Sequence, residues 1–345
     1  MRLAAIDLLR IFAAAIVVAF HYLYLFPLNG LFAGVAVAPA ARALAQYGYL
    51  GVELFFMISG YVISLSAEGR TRAQFAYARA VRLWPAFVIC MTLTIAVQAF
   101  AGHAPAPLTV VGNLTFLPKL FGLPYVDAPY WSLMYEVLFY AAVAALLVGP
   151  TFAGRLRIFT AIWLALAAFG LTDLGPSKVR VLLDLDYGPY FAVGICVFLV
   201  RRRDARLLDW WLLAFAVVIS VACAYREASA VGAPFVVHPA PAVAAAIVAL
   251  WVFMIGLAPS VPTGARLGAL SVVLGGLSYP IYLLHSGVGA GLVALVLGRF
   301  GPLVMLAGAL LILALSYVVW RLELPIRGAL SRIGPKRRQA LGGSL

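Results

Sequence analysis

The chain has 345 residues, of which 65% are hydrophobic and only 11% charged, with a mean hydropathy of +1.05. A soluble domain carries roughly 25% charged residues, so the composition excludes a single water-soluble core and makes lipid the solvent for much of the surface. The net charge of +13 does not mark a nucleic-acid binder, because the basic residues sit in short clusters between apolar runs, the pattern that orients membrane helices.

A membrane span needs about 20 apolar residues. In chain order the runs that meet or approach this are 8–27, 47–66, 82–101, 130–149, 157–171, 182–200, 207–224, 240–258, 269–298 and 302–325. The fold class is therefore an all-α integral membrane protein with about ten transmembrane helices in one bundle. The start imitates a secretory signal, with Arg2, an apolar stretch and a distant Ala36-Val37-Ala38. Asp7 and Arg10 interrupt it and the small-residue site lies too far on, so the first run is expected to be a retained helix. The fifth run is short. The ninth is long, and Gly275-Gly276 and Pro280 are expected to bend it. Between spans three and four, the apolar piece Leu108–Leu120 is too short to cross and is expected to be re-entrant or interfacial. Cys90, Cys196 and Cys223 all lie in apolar runs, too scattered for a disulfide framework or zinc site, and read as packing residues. No repeat or long linker divides the chain, so residues 1–330 form one transmembrane domain, followed by a short basic tail, 331–345. An appended soluble domain is not expected.

With the N-terminus cytoplasmic, the inner segments hold 17 Lys and Arg residues and the outer segments 6. That bias places both termini in the cytoplasm of a cell whose inner membrane the chain spans many times.

Ionisable side chains inside spans are costly and usually functional. Arg10 lies near the cytoplasmic end of the first helix, and His21 follows 11 residues later. That is almost three helical turns, so both share a face about 16 Å apart. Glu53 and Glu136 fall about 9 Å below the outer surface, level with His21, and Ser132 and Glu136 share a face at i,i+4 spacing. His285, near the middle of the ninth run, is expected to face the same cavity. Arg79 and Arg82 share a face at the mouth of the third helix, beside Arg10 and near Arg321, Glu323 and Arg327. Arginines gathered at one mouth suit phosphate recognition by forked hydrogen bonds. His103 and His238 lie in loops. Each residue also has a structural explanation, as snorkelling anchor, packed histidine or aromatic belt; the joint arrangement carries the functional reading.

At these positions the sequence resembles the acyltransferase-3 family of polytopic membrane O-acyltransferases. The matching blocks run in order along nearly the whole chain: Asp7-Leu8-Leu9-Arg10 with His21, Gly51 to Tyr61 around Glu53, Arg79-Ala80-Val81-Arg82, Tyr130-Trp131-Ser132-Leu133-Met134-Tyr135-Glu136, Leu277 to His285, and Glu323-Leu324-Pro325. The family block usually reads Trp-Ser-Leu-x-x-Glu, so Tyr130 is a variable position bearing on acceptor fit. The sequence does not contain the esterase-like domain that some relatives carry.

The resemblance implies transfer of an acyl group, usually acetyl, from cytoplasmic acyl-CoA to a hydroxyl of an extracytoplasmic glycan of the cell envelope. On that reading Arg10, Arg79 and Arg82 hold the CoA phosphates. His21 acts as general base or as covalent acyl carrier. Glu136 or Glu53 orients the imidazole or binds sugar hydroxyls, and Tyr130, Trp131, Ser132 and His285 shape the acceptor site. Partners are the bilayer, acyl-CoA as donor co-substrate and a glycan or glycolipid; neither nucleic acid nor a metal is expected, since ligands at metal spacing are absent. The rival is a transporter or flippase with buried charges lining a pathway, which predicts paired broken helices in both halves; only the ninth run is interrupted. A purely structural scaffold leaves the Arg10–His21 pair unexplained.

Overall fold

In lipid every backbone polar group must be satisfied within its own segment, and every regular element among the described residues is helical. The computed structural model describes residues 4–32, 35–149, 151–172, 177–231, 265–294 and 303–335. Its principal helices are α1 (Ala4–Phe20), α2 (Leu50–Ala67), α3 (Arg72–Phe100), α4 (Trp131–Leu146), α5 (Phe152–Gly170), α6 (Gly188–Val200), α7 (Leu207–Val231), α8 (Ala265–Leu284) and α9 (Leu303–Ile333). The protein is an all-α integral membrane protein. Among the described residues seven segments are long and apolar enough to cross a bilayer. The expected eighth span, 240–258, lies outside the described residues.

α4 and α6 have 16 and 13 residues, about 24 and 20 Å of helix against a hydrocarbon core of about 30 Å. α6 survives as a short helix because protein surrounds it: every residue from Gly188 to Leu199 is buried, as expected of a helix apolar on all sides. It crosses α2 backbone to backbone where Gly60 meets Gly194. A Cβ on either would collide with the other helix's carbonyl oxygens, those of Phe191 and Met57. Large apolar side chains such as Phe169, Trp211, Val218, Leu306 and Leu310 are exposed on the outer helices, as a lipid-facing surface requires.

Three differences from the sequence reading bear on the site. α3 starts at Arg72, ten residues before the expected 82, because Thr71 and Gln74 form a reciprocal capping box. Arg79 and Arg82 therefore lie about 10 and 15 Å inside the helix rather than at its mouth. α9 runs through Pro325 to Ile333, eight residues past the expected end of the last span at 325. α8 is broken beyond Pro280 rather than at it, by a π-helical segment, His285–Ala290. Gly275 and Gly276 serve close packing instead: a Cβ at Gly275 would come within 2.5 Å of Asp7 Oδ1, and one at Gly276 would enter the Trp320 indole.

The piece expected at Leu108–Leu120 is an eight-residue helix, Pro107–Leu114, followed by a 3-10 turn, Pro118–Phe121. Leu108, Val111, Leu120 and Phe121 are exposed, an interfacial arrangement. Buried Asn113 holds the loop together. Its side-chain amide donates to the Thr109 and Pro124 carbonyls at 2.8 and 2.9 Å, and its Oδ1 accepts from Val126 N–H at 3.1 Å. Gln98 on α3 ties the loop to the bundle through the Val126 carbonyl at 2.8 Å.

Candidate active site

The end of the bundle at which α1 begins also carries Arg70, Arg72, Arg202, Arg206 and Arg327, and a cavity of about 720 Å³ opens there. Arg10, Arg70, Gln74, Arg82, Arg327 and Ser331 supply its polar wall. The arginines are held by carboxylates at long range: Arg10 lies 3.8 Å from Asp7 and Arg82 3.9 Å from Glu323, which also pairs with Arg327 at 3.1 Å. Arg82 lies over the Tyr279 ring at 5.7 Å and Arg79 over Phe75 at 5.9 Å. Arg79 Nε and Arg82 Nη1 are buried and make no hydrogen bond. Arg82 Nη1 faces the Glu323 carboxylate without reaching hydrogen-bond distance, and buried guanidinium donors left without a partner are the kind of group a phosphate ligand would satisfy.

Arg10 and Arg82 also line a second, narrower cavity of about 80 Å³ deeper in the bundle, joined there by Arg79, Ser59, Ser132 and Glu136. The Glu136 carboxylate accepts from Ser59 Oγ at 3.2 Å and from Tyr140 OH at 2.5 Å. The inner end of this passage is Tyr282, whose hydroxyl lies 2.8 Å from Ser132 Oγ and donates to the Pro129 carbonyl at 3.0 Å.

Val52 and Tyr282 are shared with a third cavity, of about 310 Å³, which contains His21. Its other walls include Glu53, Trp131 and Glu227. His21 Nδ1 is 2.9 Å from the Val17 carbonyl. A carbonyl only accepts, so Nδ1 carries the hydrogen and Nε2 keeps its lone pair. The His285 ring stands edge-on to His21, centroids 4.7 Å apart. His285 is fully buried, its Nδ1 is 2.6 Å from the Tyr282 carbonyl, and its Nε2 has no hydrogen-bond partner.

Both histidines open a π-helical turn, His21–Leu25 after α1 and His285–Ala290 after α8. Such turns often mark functional positions. They are locked together, because Tyr22 OH donates to the His285 carbonyl at 2.9 Å. Asp127, buried in the loop before α4, accepts the Gly287 N–H at 2.7 Å. Burial pushes its carboxyl up to about 6 against that bond.

Residues 3–321 match the family model for the acyltransferase-3 acyltransferase domain. The chain belongs to the acyltransferase-3 family. No curated protein and no solved structure matches it significantly. It is a membrane acyltransferase, and the family blocks noted in the sequence supply most of the second cavity's wall, together with Arg10 and Arg82 of the first and His21, Glu53, Trp131 and Tyr282 of the third.

Within this acyltransferase, Arg10, Arg79 and Arg82 come together, as do Ser132 and Glu136, and His21 with Glu53 and Trp131. His285, expected to face the same cavity, instead packs fully buried against the His21 ring and lines none of the three. The single layer of His21, Glu53 and Glu136 is split. Glu53 lines the histidine cavity, whereas Glu136 lies one level nearer the arginines. Tyr130 lines none of the three cavities; it is buried against Phe87, its hydroxyl 3.4 Å from Thr94 Oγ1. Arg321 is exposed. The sequence reading missed Glu227, Tyr282 and Asp127. Tyr282 stood inside a family block, three residues before His285, the spacing that shares a helical face.

Proposed function

We propose that the protein transfers an acyl group, acetyl in the first instance, from cytoplasmic acyl-CoA to a hydroxyl of an extracytoplasmic glycan or glycosylated acceptor. The observation that carries this is the series of three cavities sharing walls, with arginines at one end and His21 at the other. The excess of basic residues makes the arginine end cytoplasmic. Arg10, Arg79 and Arg82 take the CoA phosphates, and the uncharged arm extends past Ser132 and Tyr282 towards His21.

In the direct route, His21 Nε2 removes the acceptor hydroxyl proton while the oxygen attacks the thioester carbonyl. The C–S bond breaks, and the CoA thiolate leaves and regains the proton from the imidazolium. In the two-step route, Nε2 attacks the thioester carbonyl, the C–S bond breaks and CoA leaves as the thiolate, giving a cationic acyl-imidazole; the acceptor oxygen then takes the acyl group, the C–N bond breaks, and the acceptor's proton passes to the thiolate, restoring the free imidazole and the CoA thiol. Glu53 and Trp131 bind the acceptor, and His285 fixes the His21 ring. Glu136, held by Ser59 and Tyr140, lines the passage of the arm rather than the acceptor site.

The test is sidedness. Labelled acetyl-CoA is presented to inverted and to right-side-out membrane vesicles, and label in envelope glycan is counted. Label is expected only when the donor meets the cytoplasmic face, and is lost in His21→Gln. Equal labelling from both faces, or labelling unchanged in His21→Gln, refutes the reading.

A further inference from the structure

The histidine cavity has an acidic side. Glu53 projects from α2 and Glu227 from the end of α7, both line the space in front of His21, and their carboxyl groups hydrogen-bond to each other. An ionised carboxylate has acceptors only, so a bonded pair holds one proton between its oxygens and keeps one negative charge. Tyr187 OH donates to Glu227 Oε1 at 3.3 Å, and Glu53 Oε2 is buried with no hydrogen-bond partner. Among the described residues no Lys or Arg lines this cavity. The neighbouring Arg226 is directed elsewhere, onto Asp186 and the Gly170 carbonyl.

The remaining wall is aromatic, with Phe20, Tyr49, Trp131 and Tyr282. Flat rings opposite a hydrogen-bond-accepting pair suit a molecule with one C–H face and a rim of hydroxyl donors. The volume of about 310 Å³ is at the small end of ligand pockets, roughly 300–1,000 Å³, enough for one sugar ring rather than a polymer segment. A carboxylate or phosphate on that ring would meet the pair's negative charge where water is scarce and repulsion strong.

We propose that Glu227 is a specificity-determining residue: with Glu53 it forms a proton-sharing carboxyl pair that accepts the hydroxyl hydrogens of a non-acidic sugar ring and excludes acidic ones. This rests on the acyl-transfer reading of the cavity.

The test uses purified protein with methyl β-D-glucopyranoside and methyl β-D-glucuronide as probes, binding measured by calorimetry. The glucoside is expected to bind at least about tenfold more tightly than the glucuronide. Glu227→Gln is expected to weaken the glucoside roughly ten- to hundredfold, the scale of a lost hydrogen bond to a charged group, and to narrow the discrimination. Acyl-CoA affinity, read at the other end of the bundle, reports that the variant is folded. Difference infrared spectra supply a readout that needs no variant at Glu227: a protonated-carboxyl band is expected in the wild type at neutral pH and lost in Glu53→Gln. The proposal falls if the glucuronide binds as well as the glucoside, if neither binds, if a folded Glu227→Gln keeps wild-type affinity, or if the band is missing. A protein that binds the glucoside but no acyl-CoA would sink the acyl-transfer reading and leave the pair standing.

Discussion

Replacing His21 by glutamine separates the chemistry from the fold. The histidine ring is held by the Val17 carbonyl through Nδ1 and by ring contacts with Phe20, Phe26 and His285. Glutamine keeps an N–H for the carbonyl and much of the volume, but has no basic nitrogen. A positioned general base contributes typically 10²–10⁴-fold to rate, about 3–5 kcal/mol of barrier. His21→Gln is therefore expected to lose at least ~10²-fold in turnover while retaining acyl-CoA binding, because the arginine cavity does not include it. The assay is label transfer from acetyl-CoA in vesicles, with donor affinity measured on the purified variant. A folded His21→Gln protein that binds acyl-CoA and turns over at near wild-type rate would refute the assignment. Rapid quenching sorts the two chemical routes: protein-bound label that appears in the wild type and not in His21→Gln marks an acyl-imidazole, and its absence in both marks direct transfer.

Three further outcomes follow from other layers of the bundle. Arg79→Ala and Arg82→Ala should weaken acyl-CoA binding measured by calorimetry. Arg82→Lys should recover only part of the loss, since an ammonium lacks the planar fork that meets a phosphate with two parallel bonds. Gly60→Ala should cost about 1–3 kcal/mol in denaturant titrations, because its methyl group would strike the Phe191 carbonyl. Asp127, with its carboxyl near 6 against 3.8 for the ordinary group, binds its proton more tightly in the folded state. Its contribution is present below about pH 4 and is lost as pH rises through about 6, a change on the order of 3 kcal/mol. Melting curves of Asp127→Asn should lack that step, and an identical pH profile in the two proteins would show that Asp127 does not titrate in this way.

The sequence showed best what lipid makes expensive. An arginine, a histidine or a glutamate inside an apolar run is conspicuous, and Arg10, His21 and Glu53 all face the cavities. Depth was harder to read than identity. Placing Glu136 level with His21 assumed that the fourth helix starts at the membrane surface. α4 instead starts beneath a folded loop, with buried Asp127 and Tyr130 just ahead of it, and Glu136 moves towards the arginines. Direction was harder still. Tyr130, Trp131 and Ser132 read as one acceptor patch, but successive helical residues turn by about 100°. One packs against Phe87, one lines the histidine cavity and one meets Tyr282. Glu227 was hidden by its position, just past the expected end of a span and beside Arg226, where it resembled a solvated charge pair. The π-helical turns have no signal in the pattern of apolar residues, and the bonds that tie them down, Tyr22 to the His285 carbonyl and Gly287 N–H to Asp127, join elements distant in sequence.

On the proposed reading, the arrangement of charge lets a group cross the membrane without its carrier crossing. Under the proposed reading the phosphates of the donor stay with Arg10, Arg79 and Arg82, and taking them further would cost several kcal/mol per charge at the bilayer centre. Only an uncharged arm and its acyl group travel the interval from Arg10 to His21, about 16 Å of helix. At the end of that interval stands Tyr282, bonded to Ser132 and the Pro129 carbonyl. It is a wall common to the arginine passage and the histidine cavity. The arm passes by displacing one hydroxyl, whereas a hydrated sugar coming from the other side meets the same hydroxyl with nothing beyond it but a passage of about 80 Å³. The barrier is therefore thin for the donor's arm and closed to the acceptor, and the acyl group changes hands at the one place that both can reach.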